Sequence, residues 1–401
     1  MRAITWQGKR NVQVDTVPDP GIEEPTDAII RVTSSGLCGS DLHLYEVLAP
    51  FMEPGDILGH EPMGVVEEVG GDVTHIAPGD RVVVPFNIAC GRCHMCDREL
   101  YSQCETTQVY EHDKGAALFG YSKLYGQVPG GQAGYLRVPQ AQFGPIKVPE
   151  GPPDDRFLFL SDVLPTAWQA VEYAAVPKDG SLLVIGLGPI GDMCARIALE
   201  RGCENVIGLD LVPERLDRAA ARGVSVIDVH AAGDETLDEI RARTSGRGTD
   251  SVIDAVGLEA HGDTFAQAAQ AAVGVLPKPI AAAMSERAGV DRMAALRMAI
   301  DAVRRGGTVS VVGVYGGMLD PMPMMQLFDK QVQLRMGQAN VRRWVDDLMP
   351  LLNDRDPLGV DDFATHHVSL EDGPLAYKTF QEKSDGAVKI VFTPDDASRP
   401  A

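Results

Sequence analysis

A glycine-rich turn between an apolar strand and a helix is the feature that most constrains the fold of this 401-residue chain. The turn has the pattern G-x-G-x-x-G and consists of Gly186-Leu187-Gly188-Pro189-Ile190-Gly191. A strand is predicted before it, over 182–185, and a helix after it, over 189–201. In that context the pattern is typical of a dinucleotide-binding βαβ unit, whose helix N-terminus stabilises the phosphate charge.

An acidic residue follows this turn at the end of the next predicted strand. Asp210 lies 19 residues beyond Gly191, where a carboxylate can accept hydrogen bonds from both hydroxyls of a cofactor ribose. Such a carboxylate repels a 2′-phosphate, so the sequence favours NAD over NADP. Arg215 lies five residues further on and could instead pair with that phosphate, which keeps NADP as an alternative.

Strands and helices alternate after about Ser161, a pattern that predicts an α/β fold with a doubly wound parallel sheet. Later strands of this sheet are predicted over 224–229, 250–255 and 308–314. Near the ends of the last two strands we add Gly257, Gly313 and Val314 to the candidate cofactor-binding residues. The stretch between Gly257 and Gly306 is long for one crossover and predicts two or three inserted helices.

The first 150 residues have a different pattern, rich in Gly, Pro and Val, with short β-like runs between turns. They predict a β-rich, partly open barrel with long loops. The N-terminus predicts one alternating strand that continues through Val12 and Val14, and it lacks the apolar segment of a signal peptide. After about Val332 the pattern is mixed, with a helix predicted over 341–352 and a frayed end over 395–401.

Four of the seven cysteines lie close together in the first region. Cys90, Cys93, Cys96 and Cys104 have the spacing C-x2-C-x2-C-x7-C. Four thiolates suit a closed tetrahedral zinc site, although an iron–sulfur cluster can also use closely spaced cysteines. A closed site leaves no open coordination position, so this cluster predicts a structural metal.

The charge of the chain excludes several classes of partner. With 36 basic and 57 acidic residues the net charge is −21, which argues against nucleic acid and thus against a zinc-finger module. The same charge disfavours an anionic membrane surface, and no apolar run approaches the ~20 residues needed to span a bilayer. We expect a cytoplasmic protein, in which clustered cysteines more often bind metal than form disulfides.

Two further clusters contain residues that can bind a metal. They are Gly36-Leu37-Cys38-Gly39-Ser40-Asp41-Leu42-His43 and Gly59-His60-Glu61. A thiolate and an imidazole can be two of the three protein ligands of an open zinc site. From spacing alone, a buried cysteine and a hydrogen-bonded core histidine are the commoner interpretations.

Taken in order, these motifs resemble those of the zinc-dependent medium-chain alcohol dehydrogenases over nearly the whole chain. Within that family the chain is most similar to the glutathione-independent formaldehyde dehydrogenase branch, through the run Leu160-Ser161-Asp162-Val163-Leu164-Pro165-Thr166. The resemblance implies a GroES-like catalytic domain over 1–163 and 334–401, and a Rossmann domain for NAD over 164–333. It also implies a homodimer or homotetramer with two Zn²⁺ per chain, one catalytic and one structural.

The resemblance further implies a ligand set for the catalytic zinc. Cys38, His60 and Asp162 would hold the ion, with Asp162 standing where many members of the family have a cysteine. A carboxylate is an acceptable zinc ligand at ~2.0–2.2 Å. Glu61 is a rival carboxylate, and the resemblance makes it an indirect or transient ligand.

The remaining polar residues of the first run are assigned by the same resemblance. Asp41 would hydrogen-bond the other ring nitrogen of His60, while Ser40 and His43 would form a proton relay. A turn serine and a surface histidine are the simpler interpretations of the last two. The expected reaction is hydride transfer between NAD and a small-molecule primary alcohol or aldehyde hydrate, with formaldehyde as one candidate. An NADPH-dependent carbonyl reductase and a catalytically silent zinc- or redox-sensing protein are the alternatives.

Overall fold

The computed structural model describes residues 1–257, 293–315 and 322–394, and the chain divides into two compact units. The first unit comprises Met1–Pro165 together with the stretch from Ala339 onward, and the second comprises Thr166–Gln338. The sequence placed the second boundary at 334, inside a strand that belongs to the sheet of the second unit. The frayed end expected over 395–401 lies outside the described residues, as does 258–292, where most of the inserted helices were expected.

The strands are numbered here in chain order. They are β1 (Arg2–Gly8), β2 (Asn11–Thr16), β3 (Ala28–Leu37), β4 (Glu61–Val69), β5 (Arg81–Val83), β6 (Tyr135–Val138), β7 (Ile146–Lys147), β8 (Ser181–Ile185), β9 (Asn205–Asp210), β10 (Ser225–Asp228), β11 (Thr249–Asp254), β12 (Val303–Val311), β13 (Gln333–Met336), β14 (His366–Ser369) and β15 (Ile390–Thr393). The N-terminal segment is therefore a hairpin rather than the single strand expected. It turns at Arg10, which adopts a left-handed φ of 56° and cannot continue a strand.

The α-helices of the described residues are mostly short. They are α1 (Gly39–Glu46), α2 (Asp155–Leu158), α3 (Val163–Ala174), α4 (Pro189–Glu200), α5 (Pro213–Ala220), α6 (Val229–Ala232), α7 (Thr236–Ala242), α8 (Ala294–Ala302), α9 (Met324–Lys330), α10 (Val345–Leu348) and α11 (Gly373–Glu382). Single 3₁₀ turns occur at Ala49–Phe51, Cys96–Arg98, Tyr101–Gln103, Tyr110–His112, Lys123–Tyr125, Phe159–Ser161, Gly233–Glu235, Val341–Trp344, Met349–Leu351 and Leu370–Asp372. The helix expected over 341–352 is thus one α-helical turn between two 3₁₀ turns.

The first unit is built on a seven-stranded sheet in the order β14-β15-β3-β4-β5-β7, with β6 also paired to β3. β3 and β4 are long antiparallel neighbours whose alternate side chains face a core that includes Ile30, Val66, Val82 and Leu136. This pairing places the end of β3 beside the start of β4. The segments that carry the first two predicted metal ligands are therefore adjacent.

The second unit is a six-stranded parallel sheet in the order β10-β9-β8-β11-β12-β13, which confirms the predicted doubly wound fold. All five residues of β8 are buried, as expected for a central parallel strand covered on both faces. Asp254 lies opposite Ile185 of β8 and Val311 of β12, so the strands end along one edge. β12 covers Val303–Val311 instead of the predicted 308–314, which leaves Gly313 and Val314 just beyond that edge.

Candidate active site and metal centres

Four buried side chains that can bind a metal converge in the first unit. One donor atom each from Cys38, His60, Glu61 and Asp162 lies within 4.8 Å of every other. Cys38 stands between β3 and α1, and His60 immediately precedes β4. Because Gly36 pairs with Glu61 in the antiparallel register, strand pairing itself sets these two segments side by side.

Two glycines permit this close approach. A Cβ atom on Gly36 would lie 2.2 Å from Oε2 of Glu61. Gly59 has a φ of +95°, and a Cβ there would lie 2.4 Å from Cγ of Gln132. A larger residue at either position would displace a polar side chain of the site, so the glycines of both motifs are required by packing.

Asp162 reaches the cluster from the 3₁₀ turn Phe159–Ser161. That turn is held by the Ser161 hydroxyl, which donates to the Leu158 carbonyl at 2.6 Å, and by the Phe86 amide, which donates to the Ser161 carbonyl at 3.0 Å. Oδ2 of Asp162 lies 3.5 Å from Sγ of Cys38 and 3.4 Å from Nε2 of His60. The three predicted ligands are thus brought together.

A chain of buried polar side chains lies behind the His60 ring. Nδ1 of His60 lies 3.2 Å from Oδ1 of Asp41. Oδ2 of Asp41 accepts from the Cys38 amide at 3.0 Å and from Nε2 of Gln132 at 3.3 Å. The Tyr377 hydroxyl donates to Oε1 of Gln132 at 2.8 Å. Asp41 therefore lies next to Nδ1 of the ring, whereas Nε2 faces Asp162, and Gln132 and Tyr377 lie outside every motif.

Burial and charge determine the protonation of this cluster. Burial, together with the carboxylates of Asp162 and Glu61, raises the pKa of the Cys38 thiol to about 11. Burial lowers the pKa of His60, but Asp41 and Asp162 outweigh it and hold that pKa well above the usual value. A thiolate, a neutral imidazole and a carboxylate are all zinc ligands, and a divalent cation would stabilise the buried negative charges of the thiolate and the carboxylate. The donor set therefore fits a zinc ion with three protein ligands.

Glu61, the fourth member of the cluster, is paired with a buried lysine. Nζ of Lys389, which is fully buried, lies 2.6 Å and 2.5 Å from the two carboxylate oxygens of Glu61 and donates to the Leu37 carbonyl at 3.0 Å. Burial raises the pKa of Glu61, and the ammonium group opposes that rise. The only hint in the sequence was a single lysine inside an apolar run before β15.

The two predicted relay residues lie on α1, three positions apart and therefore on one face of the helix. Ser40 is in the first turn and is partly exposed. His43 is 8% exposed, so it is a buried histidine and not the surface side chain that was the simpler interpretation.

The four cysteines form a second compact cluster in the first unit. Sulfur atoms of Cys90, Cys93, Cys96 and Cys104 lie within 4.8 Å of one another, and all four are free thiols. Backbone amides donate to three of the sulfurs, from Cys90 to Cys104 and from Glu105 to Cys93 at 3.3 Å, and from Arg92 to Cys90 at 3.5 Å. Four convergent sulfurs fit one tetrahedral metal ion.

The glycine-rich turn has the geometry expected of a dinucleotide loop. Gly186 has a φ of +86°, and a Cβ on Gly191 would lie 1.7 Å from the Gly186 carbonyl oxygen, so the helix packs directly on the turn. Gly188 is the N-cap of α4, whose first position is Pro189, with Ile190 following it. At the same edge a Cβ on Gly313 would lie 2.3 Å from the Gly257 amide. Val314, beside them, is 48% exposed.

Asp210 supports this turn as well as ending β9. Its Oδ2 accepts from the Leu187 amide at 2.7 Å, and its Oδ1 accepts from the amides of Leu211 at 2.7 Å and Val212 at 2.9 Å. Nη1 of Arg215 lies 3.9 Å from Oδ2 of Asp210. Each carboxylate oxygen offers about two lone pairs, so capacity to accept from a ligand remains.

Known proteins match the chain over nearly its whole length. Residues 24–150 match the alcohol dehydrogenase GroES-like domain, and residues 189–273 match the zinc-binding dehydrogenase family. The zinc-type alcohol dehydrogenase-like protein AdhB of Bacillus subtilis is 38% identical over 396 residues, covering 98% of this chain and 100% of that protein. The chain belongs to the zinc-type alcohol dehydrogenases.

This zinc-type alcohol dehydrogenase is therefore an oxidoreductase, and further similarities support its fold. Alcohol dehydrogenase TADH from Thermus sp. ATN1 has a TM-score of 0.81 and 33% identity, covering 98% of this chain and 100% of that chain. Formaldehyde dismutase of Pseudomonas putida is 30% identical over 420 residues, covering 98% of this chain and 97% of that protein. In the described residues, no helix has both the length and the apolar character needed to cross a membrane.

Proposed function

We propose that this zinc-type alcohol dehydrogenase transfers a hydride between NAD and a small primary alcohol or aldehyde hydrate. The observation that carries the proposal is the convergence of Cys38, His60 and Asp162, with Asp41 behind the imidazole. The same chain contains a dinucleotide turn with an acidic partner, Asp210. Formaldehyde is included as a substrate because of the Asp162 ligand and the similarity to formaldehyde dismutase.

Each residue of the site has a separate task in this reaction. A zinc ion, when bound, supplies a Lewis acid that lowers the pKa of the substrate hydroxyl. Cys38, His60 and Asp162 would hold the ion, and Asp41 keeps the Nε2 atom of His60 turned toward it. Ser40 would accept the hydroxyl proton, and His43 would pass it toward solvent.

The choice of NAD is proposed from the charge at the end of β9. Three backbone amides donate to the Asp210 carboxylate, which stands at the end of β9. That negative charge opposes a 2′-phosphate, although Arg215 stands 3.9 Å away. The four-cysteine cluster is proposed to hold the second, structural zinc.

We also propose a cytoplasmic homodimer or homotetramer. The exposed large apolar side chains of the second unit include three on α9, Met324, Met325 and Phe328, and one on β13, Met336. Met336 lies on β13, the last strand of the parallel sheet, whose outer edge can pair with another chain. An exposed apolar patch beside a sheet edge supports an interface with a second copy.

One assay tests this function. The zinc-loaded protein is mixed with primary, aromatic and secondary alcohols and with formaldehyde, in the presence of NAD or NADP, and reduced cofactor is followed by absorbance. We expect alcohol-dependent NADH formation, a lower KM for NAD than for NADP, and two zinc ions per chain by metal analysis. NADP preference would support the carbonyl reductase, and no turnover with any substrate would contradict the proposal.

A further inference from the structure

We propose that Asp254 and Tyr315 form a positioning pair that holds together the turns after β11 and β12, at the edge where the dinucleotide binds. This inference rests on the proposed function, because it assumes a cofactor at the carboxyl edge of the parallel sheet. Neither residue is in the glycine-rich motif or near the metal ligands in sequence. The pair concerns cofactor affinity and not the chemical step.

Asp254 binds both turns at once. It is the last residue of β11 and is fully buried. Its Oδ1 accepts from the Val256 amide at 3.0 Å, and its Oδ2 accepts from the Tyr315 hydroxyl at 2.5 Å. Its main-chain carbonyl accepts from the amides of Val312 at 3.0 Å and Gly313 at 2.9 Å. One residue therefore fixes the turn after β11 and the segment after β12 against each other.

The turn after β11 contacts both the segment after β12 and the glycine-rich turn, with little free space. A Cβ on Gly257, which has a φ of +60°, would lie 2.5 Å from the Val314 amide. A Cβ on Gly186 would lie 2.6 Å from Cγ2 of Val256. A displacement of either turn is therefore transmitted to the first glycine of the dinucleotide loop.

The position of these turns in the sheet explains why they would affect ligand binding. β8 and β11 are adjacent in the sheet. From β8 the chain continues to β9, toward one edge of the sheet, and from β11 it continues to β12, toward the other edge. Ligands of open parallel sheets bind in the crevice outside the carboxyl ends of strands at such a switch point. Gly186 and Val256 are the residues that meet across this crevice.

The Tyr315 hydroxyl is the donor on which the buried carboxylate depends. Burial raises the pKa of Asp254, and the hydrogen bond from Tyr315 opposes that rise. Burial and the facing carboxylate also raise the pKa of Tyr315, so its hydroxyl keeps its proton at neutral pH. Removing the hydroxyl leaves one oxygen of a buried carboxylate without its side-chain donor, and the segment after β12 loses its side-chain link to β11 and keeps only the backbone hydrogen bonds of Val312 and Gly313.

The test compares Tyr315→Phe with Tyr173→Phe, a matched change on α3 of the same unit. NADH dissociation constants are measured by fluorescence, together with KM for NAD, kcat, zinc content and Tm. For Tyr315→Phe we expect the NADH Kd and the KM for NAD to rise about 10-fold. Its kcat at saturating NAD should stay within about 2-fold of the parent and its zinc content should not change. A merely structural role would lower Tm and leave the Kd of the folded protein unchanged.

A second variant keeps the inference testable if Tyr315→Phe does not fold. Asp254→Asn retains one acceptor for either Tyr315 or the Val256 amide but not for both, and it should raise the NADH Kd as well. A Kd within about 2-fold of the parent in the folded variant would overturn the positioning role while leaving the proposed function intact. A parent protein that binds neither NADH nor NADPH would overturn both.

Discussion

The two donor clusters of the first unit are built in opposite ways. The four cysteines come from the single stretch 90–104, and the amides of that stretch and its next residue hydrogen-bond to the sulfurs. Cys38 and Asp162 lie 124 residues apart, and the side chain next to the His60 ring is that of Asp41, with 3.2 Å between Oδ1 and Nδ1. A metal cluster whose ligands come from one loop can be predicted from their spacing in the sequence. A cluster whose ligands come from distant segments can be recognised only when the tertiary fold is known.

The clusters also differ in the pKa of their cysteines. Burial raises the pKa of Cys93, but amide donors from Cys96 and Glu105 outweigh it and lower that pKa to about 6. Burial and nearby carboxylates raise the pKa of Cys38 to about 11. Backbone dipoles therefore stabilise a thiolate at Cys93. At Cys38 a thiolate would need a bound metal cation to stabilise it.

The largest effect expected from this contrast is in thiol reactivity. In protein depleted of metal by a chelator, we expect a much larger thiolate fraction at pH 7 for Cys93, whose pKa is lowered, than for Cys38, whose pKa is raised. The iodoacetamide reaction of Cys93 should rise through about pH 6 and then level off. That of Cys38 should rise about tenfold per pH unit until about pH 11.

Peptide mass spectrometry of the alkylated protein measures both rates. Cys194 is fully buried with a raised pKa, so its labelling would report unfolding and not local reactivity. Equal labelling of Cys38 and Cys93 at pH 7 in protein with unlabelled Cys194 would contradict the electrostatic contrast.

The next largest effect separates catalysis from structure. Cys38→Ser should reduce kcat/KM by roughly 10³-fold or more, leave about one zinc ion per chain and change Tm little, because only the open site is lost. Cys93→Ser should lower Tm by roughly 10 °C, because a structural zinc contributes folding free energy. Activity assays, metal analysis and thermal unfolding are compared for both variants. Loss of activity at unchanged Tm in Cys93→Ser would reverse the assignments.

The same contrast explains what the sequence could predict. The spacing of the four cysteines and the glycine turn between strand and helix are local patterns, and the predicted parallel sheet is confirmed. The limits of β12 were wrong because Arg304 to Gly306 resemble a turn, yet they belong to a strand whose pairing with β11 is irregular. The side chains of Gln132, Tyr377 and Lys389 reach the site only through the tertiary fold. They belong to no motif, so residue spacing in the sequence could not predict them.

The smallest effect that we predict is on stability, and it concerns the ion pair of Lys389 and Glu61 beside the predicted zinc ligands. Lys389→Met leaves the fully buried Glu61 without its counter-charge and should lower the free energy of unfolding by about 3–5 kcal/mol. The surface pair of Lys123 and Glu53, which are 42% and 55% exposed, provides the control. Lys123→Met should cost less than about 1 kcal/mol. Denaturant unfolding monitored for both variants gives the comparison.

A double variant shows whether the charge or the packing of Lys389 matters. Glu61→Gln combined with Lys389→Met removes both charges at nearly constant volume and should recover most of the lost stability, since a buried pair replaced by neutral groups costs little. If the double variant is as unstable as Lys389→Met alone, the lysine contributes through packing of its stem.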